Sequence, residues 1–147
     1  MAELLVVGYG NDLRRDDRAG REVAARLAER ELPHVEIVSV TQLTPELAPV
    51  VGGRDTVVFV DASVATDKVA VQSVCASQGG SAVVAHHADP AGLLALAEQL
   101  GHRPRRSLWV TIPATDLGFG FELSDGTEAG VDEVVEMIAA LRQPGSR

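Results

Sequence analysis

Cysteine occurs once in these 147 residues, at Cys75, so no internal disulfide can form and a reducing compartment is expected. Aromatics are nearly as scarce: one Trp, one Tyr and three Phe make up 3% of the chain, whereas hydrophobic residues reach 46%. A core must then be built from Val, Leu and Ala, as in sheets covered by helices on both faces. Basic residues are outnumbered, 13 Lys and Arg against 21 Asp and Glu, for a net charge of −8. That balance argues against nucleic acid, which needs a basic footprint. No apolar run approaches the ~20 residues that cross a bilayer, and no basic leader precedes a short apolar stretch at the N-terminus. A soluble, cytoplasmic protein with no membrane partner is the expectation.

What is present is the length of one ordinary domain, expected over residues 1–142, with Gln143 to Arg147 as a disordered tail. Leu4 to Val7 is a continuous apolar run ending in Gly8-Tyr9-Gly10-Asn11, which suits a buried strand feeding a tight loop. From Asp17 to Arg30 the residues Ala19, Val23, Ala24, Leu27 and Ala28 line one helical face, while Arg18, Glu22, Arg26 and Glu29 face water. Val35 to Val40 is a second strand, and Thr44-Pro45-Glu46 opens a short helix with an N-cap, an N1 proline and a first-turn acid. Thr56 to Val60 is a third strand. Val69 to Cys75 alternates more, as an edge strand does, with antiparallel pairing as one option. Asp89-Pro90 opens a helix to Leu100, Ser107 to Ile112 is another strand, and Pro113 to Gly120 is a loop. Thr127 to Arg142 is the last helix, with Val131, Val134, Val135, Ile138 and Leu141 toward the core. The order βαβαββαβα predicts a single-domain α/β three-layer sandwich: a mostly parallel twisted sheet of about five strands with helices on both faces.

In such sheets ligands gather at the carboxyl ends of the strands, where strand order reverses. Asn11, Asp16, Asp17, Asp61 and His86 all fall at such ends. A dinucleotide fingerprint fails in detail, since its third glycine would be Leu13 and no acid closes Val38-Ser39-Val40-Thr41. Asp16 and Asp17 would also set two negative charges where a phosphate needs positive potential.

One aspartate at a helix start needs no explanation beyond capping. Two leave one acid over, with Asp16 as cap or loop organiser and Asp17 as the reaching side chain. Asp61 follows four apolar residues, where burial raises a carboxylate's pKa unless a positive partner compensates. A metal ion and loop amides both answer that need. His86 and His87 either help organise the helix start at Asp89-Pro90 or contribute a ligand. Two carboxylates and an imidazole form an oxygen-oxygen-nitrogen set suited to Zn, Ni or a similar borderline ion. No Gly-x-Ser-x-Gly element occurs, and Cys75, expected to be buried, offers no nucleophile. The loop from Pro113 to Phe121, with Asp116 and Gly118-Phe119-Gly120-Phe121, is suited to gripping a peptide, although loop aromatics more often tuck into their own core.

These residues resemble the NiFe-hydrogenase maturation endopeptidases over nearly the whole chain. Gly8-Tyr9-Gly10-Asn11 followed by Asp16-Asp17 and Gly20 is similar to that family's N-terminal signature, Val60-Asp61-Ala62 to its second acidic motif, and His86 lies where the family keeps a metal-contacting histidine. The first acidic position in the family is Glu or Asp, which Asp17 fits. The resemblance implies an endopeptidase that removes the C-terminal extension of a hydrogenase large-subunit precursor once nickel has been inserted. It makes Asp17, Asp61 and His86 the nickel-contacting set, with Asp16 and Asn11 in support; Asp17, Asp61, His86 and Asp16 are the expected catalytic residues, with a metal-activated water as the simplest attacking group and either Asp17 or Asp16 as its base. Nickel then arrives with the precursor, and no tightly bound metal of the chain's own, nor any other cofactor, is expected. A monomer is expected. Where many members have a Gly-Gly-Thr type loop, this chain has Thr41-Gln42-Leu43-Thr44-Pro45-Glu46-Leu47, which is similar to the subgroup serving bidirectional NAD-linked hydrogenases. The competing readings are a self-contained metal-dependent peptidase or other hydrolase, and a non-catalytic nickel-dependent checkpoint.

Overall fold

Apolar runs become strands here because each can be covered on both sides. In the computed structural model, which describes residues 4–76 and 89–141, β1 (Leu4–Tyr9) is buried along its whole length. It is followed by a 3-10 turn (Arg15–Arg18), α1 (Ala19–Arg30), β2 (Val35–Val40), a second 3-10 turn (Pro45–Leu47) and α2 (Ala48–Gly52). Then come β3 (Thr56–Ser63), β4 (Ala70–Ser73), α3 (Pro90–Gln99), β5 (Arg106–Pro113) and α4 (Asp125–Leu141). The sheet order is β2-β1-β3-β5-β4, parallel throughout except for the antiparallel β4–β5 pair. This is the expected α/β sandwich.

Alternation along β1 divides the interior in two. Leu4 and Val6 join Val58, Val60, Val110 and the apolar faces of α1 and α4 in one core, and Leu5, Val7 and Tyr9 join Val57, Phe59, α2 and α3 in the other. Each fully buried Val, Leu or Phe contributes about 1.5–3 kcal/mol, so the central strands, packed on both faces, anchor the fold. Arg26 links α1 to α4 through Glu128 at 2.7 Å and Asp132 at 2.6 Å.

Strand order reverses between β1 and β3. From β1 the chain crosses to β2 on one side, and β3 lies on the other. The carboxyl ends of these two strands therefore border a crevice.

Several local expectations are corrected. The helix predicted from Asp17 begins at Ala19, after a 3-10 turn, and Ala28 is exposed. Thr44 precedes its turn without a side-chain cap. The edge strand is shorter than Val69 to Cys75, and all four of its residues are exposed. Cys75, expected to be buried, is exposed just beyond it, because an edge strand has one uncovered flank. Leu141 ends α4 at 37% exposure rather than in the core. Asp89 caps α3 as expected, its Oδ1 accepting from Gly92 N at 2.8 Å, with Pro90 at the first helical position. Among the described residues no helix is long and apolar enough to cross a membrane. The predicted tail and the stretch containing His86 and His87 lie outside the described residues.

Candidate functional site

The crevice is built on backbone contact. A Cβ on Gly8 would lie 2.1 Å from Gly20 O, and one on Gly20 would lie 2.2 Å from Val60 O. Only glycine lets the start of α1 sit directly on the ends of β1 and β3. Gly10, at φ 149°, turns the chain out of β1 and passes so close to Asp17 O that a side chain there would collide with it.

That packing presents Asp17 at the crevice. Asp17 Oδ2 accepts from Asn11 N at 3.0 Å, and Asn11 Oδ1 accepts from Leu13 N at 2.9 Å, so Asn11 orders the loop and the acid together.

Asp61 lies in the last turn of pleat of β3, one residue past the pairing of Gly8 with Val60 and opposite Thr111 of β5. Burial pushes its carboxyl up to about 6. The charge of Asp17 acts in the same direction, against hydrogen bonds from Ala62 N, at 2.8 Å, and the Tyr9 hydroxyl. The charge of Asp17 is thus felt at the end of β3. Tyr9 was not singled out from the sequence. Its hydroxyl is held above the usual range by burial and by the Asp61 charge beside it. The signal that could have found it was its place between two glycines at a strand end, on the same sheet face as Asp61.

Asp16 has a different character. It is 0% exposed, and its carboxylate accepts five hydrogen bonds: from Thr115 N at 2.9 Å, Thr115 Oγ1 at 3.3 Å, Asp116 N at 3.0 Å, Ser124 N at 2.7 Å and Ser124 Oγ at 2.8 Å. Burial raises its pKa, but these donors outweigh it and hold the carboxyl well below the usual range. The Arg15–Arg18 turn is thereby fastened to the 115–124 loop, and Asp16 N returns a bond to Asp116 O at 3.0 Å.

As donors for a borderline ion such as nickel, the paired carboxylates are suitable but supply oxygen alone, and an imidazole would complete the set. Among the described residues no group of three His, Cys, Asp or Glu gathers. His86, expected as the third member, lies outside them.

The loop aromatics do not tuck inward. Phe119 is 86% exposed and Phe121 68%, so both forgo the burial that a Phe ordinarily gains.

No protein-family model and no curated protein sequence matches this chain. Solved structures do. A hydrogenase maturating endopeptidase, HybD, from E. coli superposes with a TM-score of 0.76 at 25% identity, covering 99% of this chain and 94% of that one. A [NiFe] hydrogenase maturation protease HybD from Thermococcus kodakarensis gives 0.70 at 27% identity, covering 97% and 100%. The HycI maturation protease from Thermococcus kodakarensis shares the fold at a TM-score of 0.69 and 24% identity, over 94% of this chain and 90% of its own. Over its whole length, then, this chain is similar to the hydrogenase maturation endopeptidases.

Proposed function

We propose that this chain is an endopeptidase that removes the C-terminal extension of a NiFe-hydrogenase large-subunit precursor after nickel insertion. The observation that supports the reading is that the charge of Asp17 is felt at Asp61, at the end of β3 beside the strand-order switch, in a fold shared with proteins named as hydrogenase maturation endopeptidases.

Peptide hydrolysis adds water across a C–N bond, so the water must lose a proton and the leaving amine must gain one. Asp17 and Asp61 supply carboxylates for the precursor's nickel, and His86 is the imidazole in the same role. Asp17 also takes the proton of the attacking water and returns it to the leaving amine nitrogen as the C–N bond breaks. Asp16, with its carboxylate filled by donors, acts by holding the turn that carries Asp17. Nickel belongs to the substrate, and its capture by these residues brings the adjacent peptide bond within reach. The cytoplasm is the proposed setting, with the chain acting as a monomer.

The test incubates the purified chain with precursor prepared with and without nickel and follows loss of the extension by mass. Cleavage of the nickel-loaded form alone is expected. Equal cleavage of both forms would favour a self-contained peptidase, and binding without cleavage a checkpoint protein.

A further inference from the structure

We infer that Phe119, Phe121 and Arg14 form a docking surface for a segment of the precursor that carries a carboxylate beside apolar side chains. This rests on the maturation reading and adds to it where, outside the two acids, the client is held.

Two of the three Phe residues in the chain stand on one short loop and point outward. They are not there because the loop is loose. Arg14 Nε donates to Leu117 O at 2.9 Å, Arg15 Nε to Glu122 O at 3.3 Å and Arg18 Nε to Phe121 O at 2.7 Å. Gly120 N donates to Leu13 O at 3.0 Å, and Arg15 N to Gly120 O at 3.1 Å. With Asp16 bonded to residues 115, 116 and 124 as well, the loop is a braced platform that displays aromatic side chains to solvent. Leu13, 55% exposed, extends the apolar surface from the segment that bonds Gly120. Such a patch on an otherwise charged surface marks an interaction site, and rigid aromatics are favoured anchors.

Charge identifies the occupant. Arg15 is paired with Asp116, Arg18 with Glu22 and Arg21 with Asp12. Arg14 has no carboxylate partner among the described residues. Its guanidinium lies 5.6 Å from the centre of the Phe119 ring, a cation held over an aromatic face. In a chain of net charge −8, an unpaired arginine stacked on an exposed ring selects an acidic group next to apolar ones. An open groove of about 430 Å³ lies beside Phe121, lined by Arg18, Arg21, Asp12, Glu22 and Ser39. The loop is bonded through Asp16 to the same turn that carries Asp17, so a segment docked on it is tethered to that turn.

The experiment measures cleavage of nickel-loaded large-subunit precursor by the wild type, by Phe119→Ala/Phe121→Ala, by Arg14→Ala and by Arg14→Lys. The expected result is a KM raised about tenfold or more in the double variant and in Arg14→Ala, with kcat unchanged, and a smaller rise in Arg14→Lys. Added salt should raise the wild-type KM and leave that of Arg14→Ala nearly flat. These side chains are exposed, and thermal melts within about 2 °C of the wild type verify that folding is intact. Unchanged KM in the variants alongside active wild type overturns the surface while leaving the peptidase reading intact. A wild type that cleaves no precursor overturns the peptidase reading, and this one with it. A wild-type dimer that the double variant converts to monomer assigns the patch to a second copy of the chain and also overturns the proposal.

Discussion

Ser124 meets Asp16 twice, through its backbone N at 2.7 Å to Oδ1 and through its hydroxyl at 2.8 Å to Oδ2, across 108 residues of chain. Removing the carboxylate would strand donors from three residues at once. Asp16→Ala is expected to lose about 3 kcal/mol or more, lowering Tm by roughly 10 °C. The same bonds give stability a pH dependence. The folded-state pKa of Asp16 lies below its ordinary 3.8, so its contribution is complete above about pH 5 and is lost as pH falls through the unfolded value and on toward the folded one. Acid melts should show a steeper decline below pH 4 in the wild type than in Asp16→Asn. Parallel declines would contradict this.

Asp61 has the opposite sign. Its folded pKa of about 6 is above the ordinary 3.8, so keeping it ionised costs stability that is absent below pH 4 and fully felt above pH 6. Asp61→Asn should therefore abolish processing of precursor while making the metal-free protein more stable at pH 7, by an amount of the order of 1–2 kcal/mol. Melting curves on freshly chelated protein check this. A lower Tm would indicate that the carboxylate supports the fold.

Asp17→Asn tests the other acid. An amide oxygen can still accept from Asn11 N, so Tm should stay within about 2 °C while the processing rate falls by a factor of about 100 or more. Processing at the wild-type rate would remove Asp17 from the mechanism.

Gly20→Ala introduces a methyl into a gap of 2.2 Å at Val60 O. Backbone is on the other side, so repacking offers little relief, and a loss of about 3 kcal/mol or more is expected. Chemical denaturation measures it. A value under 1 kcal/mol would show that α1 can retreat from β3.

Local patterns were legible wherever the reason for them is local. Leu4 to Val7 and Thr56 to Val60 read as buried strands because each is covered on both faces, and Asp89-Pro90 read as a helix start because capping involves only neighbours. The crevice was legible too, since alternating strands and helices leave few topologies. The partners of Asp16 were not, because Thr115, Asp116 and Ser124 come to it only through the closed fold. The contact between Tyr9 and Asp61 depends on the register of two strands. The exposure of Cys75, Phe119 and Phe121 follows from an edge strand and a braced loop, neither of which has a compositional mark.

The glycines beneath the two acids have an evolutionary consequence. Gly8, Gly10 and Gly20 put main chain against main chain, so the spacing of Asp17 and Asp61 is a property of the peptide backbone and is indifferent to which side chains drift around it. Loop residues such as Phe119 carry no such constraint. A lineage can therefore exchange clients by rewriting its loops while the gap between its two carboxylates is inherited unaltered.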